Sequence, residues 1–471
     1  VLFACKERNM KRKSVSGLLK ELNNAKRKSK VRMHMPGSKG KRLGFIGNVF
    51  KYDFTEVSRL DNLYNPKGVI EKSQKSLAEN IGAKEVFFLV GGSSCGVLSL
   101  LSLFKDSEVL MARDFHISAA NAIELFNINP VYIYPGKANK NIDGVVSKEQ
   151  IKQALEKNKS IKAVYLTYPN YYGYCSDIAG ISKITHEKGV PLILDAAHSA
   201  CFPYSDLLPD SPAKTGADAW VVSTHKTLPA MNQSAYIGIK KEGLIPTEKV
   251  KEKINIFQTT SPSYPILASI DFSDNYMIKL GRRRIEKLFS AVELISKKID
   301  AHKEFEVIKT EKSLKKKDFM KLAIDYSRTG FCASEIAEYL EGEGVYAEAV
   351  DTKYILLLLS PVDNKRDLNK VYKALEKVKA KRPLKKEFNA YNIPKTIQAK
   401  RVEKEIDLKN IKETSSYISA GVVSVYPPGV PVLIKGDLIT SEIIEYIEEA
   451  LDNDLSVVGV FDNKMRVYTK K

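Results

Sequence analysis

From position 81 onward the chain alternates short apolar runs with longer stretches in which apolar residues recur near helical spacing. The runs "EVFFLVGG", "SEVLMAR", "PVYIYPG", "KAVYLTYPN", "VPLILDAAH" and "DAWVVSTHK" predict strands. Between them, "SSCGVLSLLSLFK", "SAANAIELFN", "SKEQIKQALEKN" and "DIAGISKITHEKG" predict helices. Several of the strands are continuously apolar, as expected where helices cover both faces of a sheet. The rhythm therefore predicts an α/β fold built on a mostly parallel central sheet flanked by helices.

After about residue 285 the texture changes. "RRRIEKLFSAVELISKKIDAHKE" predicts a long connecting helix, and the stretch to about 380 mixes helices with strands such as "KLAIDYS" and "YILLLLSP". "KAKRPLKKEFNAYNIPK" reads as a linker, and "VVSVYPPGVPVLIKGD" crowds prolines and a glycine where the backbone must turn sharply. These shifts divide the chain into a basic N-terminal arm (1–45), a large domain (46–285), a smaller α/β domain (286–385) and a C-terminal α+β unit (386–471). The amphipathic "VSGLLKELNNAK" of the arm would be stabilised chiefly by burying its apolar face on a partner.

Composition narrows the function. The hydrophobic fraction of 44% and charged fraction of 28% over 471 residues are those of a globular protein with a sizeable core. A net charge of +19 raises nucleic acid or an anionic surface as a partner. The basic residues interleave with acids, however, and show neither zinc-ligand spacing nor an aromatic string of the kind that stacks on RNA bases. They read as solvated helix faces, and nucleic acid is not the expected partner. Five cysteines form no CxxC, which fits reduced thiols in a cytoplasm. "VLFAC" is too short for the core of a signal peptide, and "YILLLLSPV" falls well below the roughly 18 apolar residues of a spanning helix, so no membrane association is expected. Six histidines without HExxH or a Cys/His cluster argue against a metal site, and no GxxxxGK[ST] is present.

In a parallel sheet, ligands bind beyond the carboxyl ends of the strands, and four such ends carry chemistry. "FFLVGGSSCG" offers Ser93, Ser94 and backbone N–H groups ahead of a helix, where a phosphate can sit, although Gly and Ser are also ordinary loop residues. "LILDAAHSA" places Asp195 directly after an apolar run, where a carboxylate needs a cation, a donor or a helix to cap. "STHK" ends the next strand with Ser223 and Lys226, and "ARDFHIS" places His116 past another. A lysine amine, an acid, a flat imidazole and a phosphate-binding turn are the parts a pyridoxal phosphate site requires.

These strings, with "MHMPGSKG", "LDNLYNPKGVI", "TYPNYYG", "SPSYPILASID" and "VYPPGVPVLIKGD", follow in order the landmarks of the ornithine/lysine/arginine decarboxylases. The chain resembles that family, of pyridoxal-phosphate fold type I, in its short form without an N-terminal receiver-like domain. The resemblance spans most of the chain. It implies a pyridoxal phosphate-dependent amino-acid decarboxylase whose large domain binds the cofactor, acting on a small basic amino acid (arginine, lysine or ornithine) to give a polyamine or its precursor. It also implies a homodimer or larger homo-oligomer.

By the same resemblance Lys226 is the lysine that bonds the cofactor, Asp195 faces the pyridine nitrogen and His116 stacks on the ring. Ser93, Ser94 and Ser223 would bind phosphate. His225 is a candidate proton carrier; for it and for His198 a structural imidazole explains the residue equally well. Asn170 could reach the cofactor's phenolic oxygen or simply close a turn. Several positions depart from the family pattern. Ser38 and Cys201 stand where histidine is usual, Ala196 where glutamate is, and Tyr64 where histidine is common. The cofactor-holding set is thus better preserved than its surroundings, which leaves open another pyridoxal phosphate reaction (transamination or elimination) or a non-catalytic binding subunit. A cationic substrate also gains nothing from a net charge of +19, so a local acidic pocket has to attract it.

Overall fold

The computed structural model describes residues 24–469 apart from 46, 58, 138–142, 310–316, 382–393, 399–404 and 428. Most of the N-terminal basic stretch and of the 379–395 linker therefore lies outside the described residues.

A seven-stranded sheet organises the first part of the chain. Its strands are β1 (Glu85–Leu89), β2 (Glu108–Ala112), β3 (Asn129–Ile133), β4 (Ile161–Thr167), β5 (Leu192–Asp195), β6 (Ala219–Ser223) and β7 (Ala235–Ile239), in the spatial order β1-β7-β6-β5-β4-β2-β3. The run from β6 to β3 is parallel throughout. All residues of β5 and β6 are buried, which is why they read as unbroken apolar runs. Helices Gly92–Leu101, Ile117–Leu125, Lys148–Lys157 and Ile178–Glu187 fill the predicted gaps.

Strand β7 is absent from the pattern read in the sequence, and it runs antiparallel to both β1 and β6. Gly238 in its middle lowers strand propensity and masks the signal. The glycine is required there: a Cβ would lie 2.3 Å from the Trp220 ring on β6. The long helix also differs from expectation. It runs from Tyr264 to Asp300, starting well before Arg282, with Ser263 as its N-cap and proline in its first turn. Leu267, Ile270, Met277, Ile285 and Leu288 lie along its buried side.

The second part of the chain begins with a four-stranded antiparallel sheet that contains Lys321–Asp325 at its centre, paired with Tyr354–Leu358. The segment from residue 31 joins this region to the site. Val31–Met33 pairs in parallel with Val345–Ala347, Lys39 Nζ donates to the carbonyls of His34 (2.7 Å) and Leu358 (2.6 Å), and the Gly37 N–H donates to the His225 carbonyl at 2.7 Å. Two three-stranded sheets, a two-stranded one that pairs Ile397–Gln398 with Asp437–Leu438, and helix Ser441–Asp452 lie in the C-terminal part. Arg113, just past β2, fastens that part down. Its buried guanidinium donates to the carbonyls of Pro431 and Val432 and to Thr396 Oγ1, and lies 3.5 Å from Asp437. Among the described residues no helix is long and apolar enough to cross a membrane.

Candidate active site

The carboxyl ends of β1, β2, β4, β5 and β6 open on one cavity of about 400 Å³. Ser93, Ser94, His116, Asp195, His198, Ser223, His225 and Lys226 all line it. These residues come from four separate strand–helix junctions, and the parallel register brings them together: Thr167 pairs with Asp195, and Asp195 with Val221 two residues before Ser223.

Lys226 lies in the short helical turn Thr224–Thr227 that follows β6. Its Nζ is 3.0 Å from His198 Nε2. Burial lowers the amine's affinity for a proton, against the opposing pull of the Asp195 and Glu348 carboxylates. His198 is 8% exposed, and burial together with the Lys226 charge drives its pKa well below the ordinary imidazole value. Its Nδ1 has no hydrogen-bond partner among the described residues. Asp195 is 5% exposed; Oδ1 accepts the Ala197 N–H at 3.2 Å and Oδ2 the Tyr165 hydroxyl at 3.2 Å. Those two donors fix the carboxylate at the end of β5.

At the opposite wall, the helix Gly92–Leu101 opens with Gly92 at φ +72°, and its N–H donates to the Gln233 carbonyl. Ser223 Oγ donates to Ser93 Oγ at 2.8 Å. Serine hydroxyls and free N–H groups at a helix N-terminus suit a phosphate monoester. His116 is the N-cap of helix Ile117–Leu125, its Nδ1 accepting the Ser118 N–H, and it lines the cavity. Burial lowers its pKa, as it does that of His225. His225 Nδ1 donates to the Ser234 carbonyl at 2.9 Å, which leaves Nε2 unprotonated in the neutral ring.

Asn170 is not among the lining residues. Its carboxamide oxygen accepts the N–H groups of Tyr172 and Tyr174, closing the turn after β4. Of the two readings left open for it, the geometry is that of the turn. Two of the departures from the family pattern are likewise placed. Ala196 and Cys201 are fully buried, and the Cys201 thiol, its pKa raised by burial, points at the Thr227 carbonyl (3.7 Å) beneath the lysine turn.

Sequence reasoning missed several lining residues. Asp114 sits two positions before His116, and burial with the nearby Asp195 charge raises its carboxyl pKa to about 7. It is a second acid at a strand end, so the signal was present in "ARDFH". Tyr171, Gln233, Gly429 and Val430 also line the cavity, the last two from the C-terminal part.

Pyridoxal phosphate fits these residues. A buried amine, a carboxylate held by two donors and the imidazoles of His116 and His198 line a cavity whose wall also carries the paired Ser93 and Ser223 hydroxyls and a helix N-terminus, a donor set that suits an aldehyde, a pyridine nitrogen and a phosphate.

Comparison with known proteins supplies the family. The family model for the Orn/Lys/Arg decarboxylase major domain matches residues 28–325, and that for the C-terminal domain of the same family matches residues 378–463. A Bacillus subtilis arginine decarboxylase is 28% identical over 461 residues, 93% of this chain and 94% of the relative. The uncharacterised Bacillus subtilis protein YaaO is 28% identical over 475 residues, covering 96% of this chain and 98% of its own. The crystal structure of the Francisella novicida lysine decarboxylase LdcF superposes with a TM-score of 0.74 at 17% identity, over 89% of this chain and 74% of its own, and establishes the fold. With matched major and C-terminal domains and a cavity built for pyridoxal phosphate, this chain belongs to the Orn/Lys/Arg decarboxylase family of pyridoxal phosphate-dependent decarboxylases.

Proposed function

We propose that this protein removes the α-carboxyl group of arginine, lysine or ornithine, releasing carbon dioxide and an amine that is a polyamine or its precursor. The observation that carries the reading is the convergence of Lys226, Asp195, His116 and the Ser93–Ser223 pair on one cavity. Lys226 would bond the cofactor, Asp195 would face its ring nitrogen, His116 would stack on its ring, and Ser93, Ser94 and Ser223 would hold its phosphate. When bound, pyridoxal phosphate supplies an electron sink for the pair left on the α-carbon as carbon dioxide departs.

The chain's own residues handle protons and position. Tyr165 and the Ala197 N–H hold Asp195 in place. Lys226 Nζ and His198 Nε2, 3.0 Å apart, form a buried pair whose shared environment disfavours two positive charges. The pair can therefore exchange one proton at the cavity wall. His225, tethered through Nδ1, presents Nε2 as an acceptor. Arginine is the first substrate to try, because the relative of that name aligns along nearly the whole chain.

The four described cysteines are free thiols, which supports a reducing, cytoplasmic setting. Exposed apolar side chains such as Phe50 (84%) and Ile278 (56%) support a homodimer or larger homo-oligomer, to be measured by light scattering. The domain limits 46–285, 286–385 and 386–471 remain our division of the chain.

The test is carbon dioxide release from carboxyl-labelled arginine, lysine and ornithine by cofactor-loaded protein. Release from at least one, abolished in Lys226→Ala and at least a hundredfold lower in Asp195→Asn, is expected. Cofactor-loaded protein that releases none, or a Lys226→Ala variant with full activity, overturns the reading.

A further inference from the structure

Lys321 is a buried lysine outside the set that lines the cofactor cavity. It opens the strand Lys321–Asp325 at the centre of the antiparallel sheet and is 1% exposed. An ammonium group so placed is costly unless acceptors meet it. Nζ donates to the Tyr171 carbonyl at 2.8 Å and to that of Asn170 at 3.4 Å, and it stands 5.3 Å from the Tyr171 ring centroid. Burial lowers its proton affinity; the fully buried Asp318 carboxylate and, more weakly, Glu348 and the Cys175 thiol oppose that.

These acceptors belong to the turn that carries Tyr171. The Asn170 carboxamide shapes the turn from within, and the second part of the chain grips it from outside. The Asp318 N–H donates to the Gly173 carbonyl at 2.9 Å, Tyr174 bridges to Lys317, and the Tyr172 hydroxyl donates to Asp351. Gly173 has φ +87°, and a Cβ there would lie 3.0 Å from the Asp318 carbonyl oxygen and 3.2 Å from the Lys321 Cβ, so glycine lets the two segments meet. On its other side the turn presents Tyr171 to the cofactor cavity, where its ring meets that of His198 edge-on at 5.9 Å.

His198 depends on that contact. Its Nε2 is 3.0 Å from Lys226 Nζ, and its Nδ1 has no partner among the described residues. A ring with one hydrogen bond, to a flexible lysine, keeps its orientation by packing. A path of direct contacts thus runs from Lys321 through Tyr171 and His198 to the reacting amine. The charges along it interact as well. Lys321 and Lys226 repel each other, His198 feels both together with His116 and His225, and Asp195 and Glu348 pull on Lys226 in the opposite sense.

We infer that Lys321 is a positioning residue of the reaction: by gripping the Asn170 and Tyr171 carbonyls it sets Tyr171 against His198 and so fixes the imidazole that partners Lys226. The inference rests on the decarboxylase reading and adds to it a residue from the second part of the chain.

The experiment is a pH titration of the bound cofactor's absorbance, which reports protonation at the Lys226 nitrogen, on cofactor-loaded wild type, Lys321→Met, Tyr171→Leu and the double variant. Carbon dioxide release from arginine, lysine and ornithine is measured on the same samples. Lys321→Met removes a repelling charge and frees the ring, so its midpoint is expected to rise by about half a pH unit or more. Its kcat is expected to fall about tenfold or more, with KM changed less than about threefold. Tyr171→Leu is expected to move the midpoint and lower kcat too, and it stands in if Lys321→Met fails to fold or load. Because both substitutions cut one path, the kcat of the double variant should fall no more than about threefold below that of the weaker single variant. An unmoved midpoint in either loaded single variant overturns the positioning role, as do losses in kcat that multiply. Wild-type turnover of a basic amino acid alongside an unmoved midpoint sinks only that role. Absence of turnover by wild type sinks the decarboxylase reading, and the midpoint still decides whether Lys321 acts on Lys226.

Discussion

Replacing Arg113 should loosen the C-terminal part from the cofactor sheet and disturb the cavity it helps to close. The side chain is 1% exposed and its partner Asp437 is 0% exposed. It donates to three oxygens besides Asp437, two of them the Pro431 and Val432 carbonyls, and packs 5.1 Å from the Phe115 ring centroid and 5.3 Å from that of Tyr132. Removing one member of a buried pair costs about 3–5 kcal/mol, because the remaining charge stays buried and unpaired. Asp437 is already hard to ionise, burial raising its pKa to about 6 against the pull of Arg113. Without Arg113 that value rises further. The loss in Arg113→Met should therefore be larger at pH 8, where Asp437 would have to ionise, than at pH 6, where a proton relieves it. Adding Asp437→Asn, which can still accept the Ile434 N–H, should recover more than half of the loss. Hydrogen exchange of the strand Val423–Tyr426, read against that of β5, measures the loosening directly. Because Gly429 and Val430 line the cavity just before Pro431, cofactor dissociation should accelerate in the single variant. Exchange within about 1 kcal/mol of wild type at pH 8, or no rescue by the second substitution, would refute this account of the contact.

Other consequences are equally concrete. His198 is buried with its pKa well below the unfolded value of about 6.5, so the unfolded chain takes up a proton that the folded one does not. Stability is then lost as pH falls through 6.5, by about 1.4 kcal/mol between pH 7.5 and 5.5 from this group, and His198→Asn should remove that share of the slope in urea titrations. Gly37→Ala places a Cβ 2.5 Å from the Leu228 carbonyl oxygen, so it should displace the residue 31–41 segment from the lysine turn and lower cofactor affinity at least tenfold, measured by absorbance titration. Ser223→Ala removes the donor to Ser93 Oγ and should weaken binding of pyridoxal phosphate more than that of pyridoxal; equal effects on both would contradict a phosphate role. Cys201→His restores the usual family residue, but into a fully buried position, and should destabilise the protein, as a thermal melt would show.

What could be read from the sequence follows a physical rule. Strand ends of a parallel sheet announce themselves because an apolar run stops at a polar residue, and Asp195, Ser223 and His116 were legible for that reason. Strand β7 was not, since Gly238 is dictated by the Trp220 ring on its neighbour and not by any local preference. Nor could the pattern show that Gly429 and Val430 close a cavity formed by β2 and β6, because that contact depends on a buried arginine more than three hundred positions away. Glu348 is the clearest case. In "GVYAEAV" it is one carboxylate among many, and only the pairing of the preceding strand, Val345–Ala347, with Val31–Met33 and the bond from the Tyr171 hydroxyl seat it behind a wall of the cofactor cavity.

The central claim is that Lys226 is the amine on which the chemistry runs, and other buried lysines make the claim testable. Burial pulls the Lys39 pKa down to about 8 and lowers that of Lys321 as well, so either offers a reactive amine. Borohydride reduction of the cofactor-loaded protein, followed by digestion and mass spectrometry, locates the lysine that carries the pyridoxyl group. The account predicts the added mass on Lys226 and its absence in Lys226→Ala; the mass on Lys39 or Lys321, or on no single lysine, would contradict it.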